Sequence, residues 1–119
     1  MHVHRTLGGG FQEVIYQRAL AIEFELENLS FERESEIGIY YRDRNIGIRR
    51  IDFFVSDKVM VELKAQVKLD DLHLAQSLNY LEAFKMQIGL LINFGGRSLE
   101  FKRIHNNKLE LDSKDLRLP

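Results

Sequence analysis

The segment IDFFVSDKVMVELKA, residues 51–65, predicts a β-hairpin, because two apolar runs flank the polar turn Ser56-Asp57-Lys58. Side chains alternate across a strand, so the hairpin has two faces. The first face is entirely apolar and consists of Ile51, Phe53, Val55, Val59, Val61 and Leu63. The second face consists of Asp52, Phe54, Met60, Glu62 and Lys64. One hairpin therefore presents a core-facing surface and a partly charged surface on opposite sides.

The turn places Asp52 directly opposite Glu62 on the second face. Directly opposed side chains lie about 4.5–5.5 Å apart at Cβ, where two like charges are destabilising. A divalent cation between the carboxylates would remove that repulsion, and carboxylate oxygens are ligands that suit Mg²⁺ and Mn²⁺. Lys64 shares this face and can reach the same space. The hairpin is therefore a candidate metal site.

An ordinary solvated strand face explains the same charges equally well on pattern alone. Phe54 and Met60 argue against that alternative, because they make the second face half buried. The register is the decisive step, since a slip of one residue would turn the two carboxylates away from each other.

Two helices flank the strands of this hairpin in the sequence. The first is predicted over residues 11–29, and its core-facing stripe at helical spacing consists of Phe11, Ile15, Ile22, Leu26 and Leu29. The second begins after a cap at Asp70 or Asp71 and continues to about Lys85. The single proline is Pro119, so no proline interrupts either helix.

Further apolar runs complete a predicted sheet. The predicted strands cover residues 36–41, 46–55, 59–65, 87–94 and 99–104. The polar turn RDRN joins the first two strands, and Asn106-Asn107 suits a tight turn into residues 108–111. This order predicts an α/β (α+β) domain: a mixed central sheet flanked by helices, with antiparallel pairs, one helical crossover and a short C-terminal hairpin.

The composition predicts a single domain over residues 1–119. Hydrophobic residues make up 45% of the chain and charged residues 29%, which allows a packed core and argues against disorder. The absence of cysteines excludes disulfides and thiolate zinc sites and fits a reducing compartment. No apolar run is long enough to span a membrane, so we expect no membrane partner and a cytoplasmic location. The net charge of −1 gives no support to non-specific nucleic-acid binding, which would need a local basic patch.

An aspartate on one strand followed by Glu-x-Lys on the next, here Asp52 and Glu62-Leu63-Lys64, resembles the core signature of the PD-(D/E)XK nuclease superfamily. The stretch GFQEVIY also spells G-x-x-E-x-x-Y through Gly10, Glu13 and Tyr16, which resembles the naming motif of the small bacterial GxxExxY proteins. The phrases HRTLG, VELKA, AQSLNYL and GLLINFG look similar to that family as well, so the resemblance covers nearly the whole chain. It implies a restriction-endonuclease-like core in the order helix-strand-strand-strand-helix-strand.

The resemblance implies a metal-dependent nuclease that acts on DNA or RNA with Mg²⁺ or Mn²⁺. Asp52 and Glu62 are the implied metal ligands, joined by the backbone carbonyl of Leu63 and, directly or through water, by Glu13. Lys64 would position the attacking water or stabilise charge on the phosphoryl oxygens. The implied catalytic residues are Glu13, Asp52, Glu62 and Lys64.

Several other polar residues are candidates for substrate contact. Gln76 and Tyr80 share one face of the second predicted helix and resemble the Gln-x-x-x-Tyr element of recombination-type nucleases, which implies substrate binding. His73 continues that stripe, and His4 is a further metal-ligand candidate. A local basic cluster fits either a phosphate backbone or a charged strand edge, and consists of Arg42, Arg44, Arg49 and Arg50.

Two other functions stay open on the sequence alone. A nucleic-acid- or protein-binding module could retain the nuclease fold without catalysis, which the near-neutral net charge favours. The chain could also be a subunit of a homo-oligomer or of a larger assembly that supplies the substrate specificity, since the superfamily scaffold hosts many activities.

Overall fold

A computed structural model describes residues 2–107 of the chain. Its elements are α1 (His2–Leu7), α2 (Glu13–Leu26), β1 (Phe31–Tyr41), β2 (Arg44–Val55), β3 (Val59–Lys64), α3 (Asp71–Ala83), β4 (Ile88–Asn93) and β5 (Glu100–His105). The strands form one sheet in the order β1-β2-β3-β4-β5. Strands β3 and β4 are parallel and are connected through α3, whereas the other neighbours are antiparallel.

This architecture confirms the predicted restriction-endonuclease-like fold, a mixed sheet flanked by helices. The two largest differences from the prediction are that the first helix is preceded by the separate short helix α1, and that β1 begins five residues earlier than position 36. The other bounds differ by at most three residues. The predicted C-terminal hairpin is described only in its first strand, β5. Its second strand, residues 108–111, lies outside the described residues.

Two tight turns set the register of the antiparallel strands. Arg42 and Asp43 both have positive φ angles, 49° and 64°, as a type I′ hairpin turn requires. Ser56 and Asp57, with φ of 54° and 56°, begin the loop between β2 and β3. This loop pairs Phe53 with Val61. The predicted register of the hairpin is therefore confirmed.

The sheet buries one hydrophobic cluster on each face. The cluster under α1 and α2 contains Val3, Tyr16, Leu20, Ala21, Phe53, Val61, Leu63, Ile92 and Phe94. The cluster under α3 contains Ile37, Ile51, Phe54, Met60, Leu69, Leu81, Leu91 and Ile104. Because both faces are covered, most side chains of the central strands β3 and β4 are apolar on either side, with Glu62, Lys64 and Asn93 as the polar exceptions.

The predicted all-apolar face of the hairpin is wrong at Ile51. Ile51 packs in the α3 cluster, whereas Phe53, two residues later, packs in the α2 cluster. Regular alternation would put both on one side, so β2 changes face between them. On the neighbouring strand, Glu34 lies opposite this point with a positive φ of 52°. The break falls on Asp52.

The predicted core stripe of the first helix is also wrong. Phe11, Ile22, Leu26 and Leu29 are exposed, and only Ile15 is partly buried. The buried residues of α2 are instead Tyr16, Gln17, Leu20 and Ala21. Stacking of Tyr16 on Phe94 fixes the rotation of the helix, with ring centroids 4.7 Å apart and planes 13° apart. A full aromatic ring in the core outweighs the aliphatic stripe beside it.

The helices have defined ends. Helix α2 ends before Asn28, whose φ of 57° is the left-handed conformation typical of a helix terminus. Helix α3 begins with a capping box, in which Asp70 accepts a hydrogen bond from the His73 backbone and the His73 ring accepts one from the Asp70 backbone. The prediction of a cap at Asp70 or Asp71 is confirmed, and the cap is Asp70. Within residues 2–107, no helix combines the length and apolarity needed to cross a bilayer.

Strands β1 and β2 are about twice as long as β3. Strand β3 pairs with β2 only at Phe53–Val55, so within residues 2–107 the rest of β2 has β1 as its only neighbour in the sheet. Residues 37–50 therefore form a two-stranded extension, which we call the arm. Its turn lies at Arg42-Asp43, and its base leads into Asp52.

Candidate active site

Asp52 and Glu62 meet where β2 and β3 stop pairing. The backbone N–H of Asp52 donates to Oε1 of Glu62 at 3.0 Å, and the backbone N–H of Leu63 donates to Oδ2 of Asp52 at 2.8 Å. Each carboxylate thus bonds to the opposite strand. The two side chains replace the next rung of the backbone ladder, which holds both carboxylates in the gap between the strands.

Burial of this pair raises the pKa of both carboxyl groups. The pKa of Glu62 rises from 4.5 to about 8, first because of burial and second because of the neighbouring charge of Asp52. The pKa of Asp52 is also raised by burial, and the hydrogen bonds from Leu63 and Gln17 oppose that shift. Lys64 lowers the pKa of both groups. Lys64 therefore offsets the effect of burial only in part, and a cation would favour the ionised carboxylates further.

The donor set suits Mg²⁺ or Mn²⁺. Glu62 is only 6% exposed, and its second oxygen, Oε2, accepts no hydrogen bond from the described residues. Among residues 2–107 no three His, Cys, Asp or Glu side chains are close enough together to hold a metal ion. A cation here would therefore rest on two carboxylates, with backbone, water or substrate oxygens as its other ligands. Mg²⁺ is commonly held in this way.

Gln17, which the sequence reasoning missed, joins α2 to this pair. Its Nε2 donates to Oδ1 of Asp52 at 2.9 Å, and its Oε1 accepts from Arg33 at 2.8 Å. Gln17 is buried, Asp52 is half-buried and Arg33 is exposed, so the chain of contacts runs from the carboxylate pair to the surface. The signal was present in the sequence, since Gln17 follows Glu13 by four residues and shares its helix face. Gln17 therefore connects the helix that begins at Glu13 to Asp52 on β2.

Glu13 is the first residue of α2 and is exposed. Its charge contributes to the raised pKa of Glu62, so it acts on the carboxylate pair through space. It does not complete a three-group metal cluster with that pair in the described residues. The structure thus places Glu13 at the margin of the site.

Tyr16, the last residue of the G-x-x-E-x-x-Y motif, has a structural position. Its hydroxyl donates to the carbonyl of Gly8 at 2.7 Å and accepts from the backbone N–H of Phe11 at 3.2 Å. The intervening Gly10 has a φ of 105°, a conformation that favours glycine. The motif therefore fastens the loop before α2 and fixes where Glu13 begins the helix.

Asn93, also missed from the sequence, holds the chain just after Lys64. It is fully buried at the end of β4, and its side chain bonds to both the N–H and the carbonyl of Gln66 at 2.9 Å. Its Nδ2 also donates to Glu100 at 2.9 Å. The carbonyl of Lys64 itself accepts from Phe94 at 2.9 Å. The backbone that carries Lys64 is therefore anchored on both sides.

Gln76 and Tyr80 line a cleft between α3 and the arm. The cleft has a volume of about 600 Å³, and the arm contributes Ile39, Ile46 and Arg49 to its walls. Its size falls in the range of ligand pockets, and it combines apolar walls with a few polar groups. The predicted neighbourhood of Gln76 and Tyr80 is therefore a recess and not a flat helix face.

The two histidine candidates have structural partners. His4 Nε2 hydrogen-bonds with the carbonyl of Gly96 at 3.1 Å, and its ring lies 6.5 Å from that of Phe94. His73 belongs to the capping box of α3. Neither histidine contacts Asp52 or Glu62 in the structure.

Comparison with known proteins agrees with the fold. A model of the PD-(D/E)XK nuclease superfamily matches residues 1–104. Four solved chains match, among them the crystal structure of SSO0001, which is 20% identical with a TM-score of 0.61. That alignment covers 89% of this chain but 59% of the other, so this chain spans less than two thirds of that protein. At this identity the likeness shows the fold alone. No curated protein matches the chain.

Proposed function

The chain belongs to the PD-(D/E)XK nuclease superfamily, and on that premise we propose that it is a metal-dependent nuclease that hydrolyses phosphodiester bonds of DNA or RNA. One observation carries the proposal: the half-buried carboxylate of Asp52 and the buried carboxylate of Glu62 share a gap between neighbouring strands, where burial first and their mutual repulsion second raise the pKa of Glu62. Such a pair is costly for a fold to keep without a cation. Perturbed groups of this kind cluster at functional sites.

Asp52, Glu62 and the carbonyl of Leu63 would hold Mg²⁺ or Mn²⁺. That ion would supply charge for the phosphoryl oxygens and make a bound water more acidic. Lys64 is half-buried beside the pair, and its ammonium group positions the attacking water or stabilises the oxygens of the phosphate. Gln17 keeps the Asp52 carboxylate in orientation.

Other features of the chain support finer parts of the proposal. The exposed Glu13 supplies a further carboxylate at the entrance, and Gln76 and Tyr80 in the cleft contact the substrate. The motif formed by Gly10, Glu13 and Tyr16 supports placement in the GxxExxY group. The lack of cysteines supports a reducing, cytoplasmic setting.

One observation favours a non-catalytic alternative. Both carboxylates already accept backbone hydrogen bonds from the opposite strand, so they stabilise the hairpin even without metal. A binding module that keeps the fold would need the two carboxylates only for these hydrogen bonds. The alternative predicts stabilisation by metal without turnover of any nucleic acid.

A cleavage assay with matched variants separates the two functions. The wild type is incubated with single- and double-stranded DNA and with RNA, in Mg²⁺, Mn²⁺ or chelator. Glu62→Gln keeps an acceptor for the Asp52 N–H but removes the charge, and Lys64→Ala removes the ammonium group. Lys102→Ala, exposed on β5, is the control for a lost positive charge.

We expect the wild type and Lys102→Ala to cleave in metal and not in chelator, and both site variants to lose at least about 100-fold in rate. Cleavage that survives in chelator, or equally in Lys64→Ala, contradicts the proposed mechanism. Metal-dependent stabilisation with no cleavage of any of the three substrates favours the binding module.

A further inference from the structure

We propose that the arm, residues 37–50, is a binding site for a single-stranded segment of nucleic acid, with Tyr40 stacked on a base and the arm's arginines on the phosphates. The inference rests on the proposed function, because it assigns the part of the molecule that holds the substrate strand. No motif of the sequence assigns this role to Tyr40.

The arm exposes large apolar side chains. Tyr40, Tyr41, Ile46 and Ile48 are each between 59% and 66% exposed. Four such residues on one short hairpin leave both of its faces partly apolar. Surfaces of this kind mark interaction sites.

Tyr40 is held in place although it is exposed. A Cβ atom added to Gly38 would lie 2.7 Å from Cε2 of Tyr40, so the ring lies directly against the Gly38 backbone. The same position is 2.9 Å from Nδ2 of Asn45, which borders the ring. One part of the ring is thus supported by the strand while most of the side chain remains open to solvent. A pre-positioned aromatic face is what an unstacked base binds.

The charge of the arm is opposite to that of the whole chain. Its sequence IGIYYRDRNIGIRR has four arginines and one aspartate, a net charge of +3 in a chain of net charge −1. Arg44 and Arg49 have no acidic partner within 4 Å among the described residues. Arg50 pairs with Glu36 at 3.4 Å, but that pair is exposed and therefore weak. The arm is the local basic patch that the overall charge does not provide.

The register distributes these groups over both faces of the arm. Arg49 lies opposite Ile37, on the face that packs toward α3, and it lines the cleft with Gln76 and Tyr80. Ile48 lies opposite Gly38, on the face that carries Tyr40. Ile48 precedes Asp52 by four residues, about 13 Å along the strand. A strand bound along the arm therefore reaches the carboxylate pair.

The apolar groups favour a single strand over a duplex. Contacts to duplex backbones come from charged and polar groups, because the base faces are hidden by stacking. Tyrosine and isoleucine side chains gain little from such a surface, whereas unpaired bases offer apolar faces to them. A combination of exposed aromatic and aliphatic residues with arginines is thus suited to unpaired nucleotides.

The test measures binding in chelator, where the nuclease reaction is not expected. The full chain is titrated against a fluorescein-labelled oligothymidylate and against a duplex of the same length, with fluorescence anisotropy as the readout. Tyr40→Ala removes the ring. Gly38→Ala displaces the ring without removing it, and Gly47→Ala is the matched control because its Cβ meets no atom within 4 Å.

We expect tighter binding of the single strand than of the duplex. Tyr40→Ala should weaken single-strand binding by about five-fold or more, Gly38→Ala should weaken it as well, and Gly47→Ala should not. Arg44→Ala should lower the slope of log K against log salt by about 0.7. Absence of binding, equal or tighter duplex binding, or wild-type affinity of Tyr40→Ala would each overturn the proposal.

Further outcomes separate this inference from the proposed function. Lys64→Ala should lose cleavage but keep the preference for the single strand over the duplex, because that preference comes from the arm. If Tyr40→Ala and Gly38→Ala weaken binding as expected but no metal supports cleavage, the nuclease proposal is wrong and the arm assignment stands. If every arm variant cleaves and binds like the wild type, the arm assignment is wrong and the nuclease proposal stands. If Tyr40→Ala dissociates a dimer and leaves oligonucleotide affinity unchanged, the arm is a self-association surface and the proposal is wrong.

Discussion

The backbone N–H of Asp52 is hydrogen-bonded to the carboxylate of Glu62 over 3.0 Å, so the two acidic residues are joined across the strands before any metal is considered. The reciprocal bond from Leu63 to Asp52 makes the arrangement a closed pair. The hydrogen bonds of this pair fix the positions of the carboxylate oxygens. Burial and mutual repulsion disfavour the state in which both carboxyl groups are ionised. Local structure and site electrostatics are therefore properties of the same pair.

The stability of the metal-free protein should fall as pH rises, and Glu62 is the main cause. Its pKa is about 8 in the folded chain and 4.5 ordinarily, so the folded state holds the proton more tightly. The stabilisation is complete below about pH 4.5 and is lost as pH rises through 8, by at most roughly 1.4 kcal/mol per pH unit. Glu62→Gln should flatten this part of the profile.

Urea denaturation in chelator between pH 5 and 8 measures the effect. Glu25→Gln, an exposed change of the same kind on α2, is the control and should keep the wild-type slope. If the unfolding free energies of wild type and Glu62→Gln change in parallel with pH over this range, Glu62 is not the cause of the pH dependence.

Gln17→Leu should weaken metal binding without removing a ligand. The variant fills similar space but loses the donor to Asp52 and the acceptor for Arg33. Partners that orient a ligand contribute about 10- to 100-fold to metal affinity, so we expect a loss of this size. Titration calorimetry with Mn²⁺ gives the affinity, and Gln12→Leu, exposed before the helix, is the matched control. Unchanged Mn²⁺ affinity in Gln17→Leu argues that Gln17 serves packing alone.

Tyr16→Phe should destabilise the fold, whereas Tyr41→Phe should not. Removal of the Tyr16 hydroxyl leaves the Gly8 carbonyl and the Phe11 N–H without that partner, at a cost of about 1–3 kcal/mol. Tyr41 is 59% exposed and its hydroxyl makes no hydrogen bond with the described residues. The difference in unfolding free energy between the two variants is the measurement. Equal values would mean that the loop before α2 is not fastened by Tyr16.

Gly95→Ala should be destabilising and Gly47→Ala nearly neutral. A Cβ at Gly95 would lie 2.5 Å from the backbone nitrogen of Gln66, and a backbone atom cannot move aside as a side chain can. Overpacking of this kind costs about 1–3 kcal/mol. Thermal unfolding of both variants tests it, and because Gln66 follows Lys64 closely, Gly95→Ala should also slow cleavage. A stable Gly95→Ala protein would show that the turn after β4 can open without cost.

The hairpin register was predictable because its determinants are local. The three polar residues 56–58 and the apolar runs beside them are sufficient to bring Asp52 and Glu62 together. Element types and their order were predictable for the same reason, since period and turn residues are read within short windows. Asp70 is a further example, because a cap bonds to its own helix.

Residues whose partners are distant in sequence were not predictable. The rotation of α2 depends on Tyr16 against Phe94, which are on different elements, so the aliphatic stripe gave the wrong face. Gln17 and Asn93 look like ordinary polar residues until their partners on other strands are known. The change of face at Asp52 leaves no trace in the alternation pattern, because isoleucine and phenylalanine suit either cluster.

That change of face at Asp52 reverses the side-chain alternation of β2. Residues 47–51, after the register shift at Ile46, are assigned to one side of the sheet by odd and even position, and the residues after Asp52 by the opposite rule. Gain or loss of one residue near Asp52 would exchange core and surface positions along the strand, whereas the Arg42-Asp43 tip can lengthen or shorten in steps of two. Length variation among relatives should therefore accumulate at the tip and be absent beside the carboxylate.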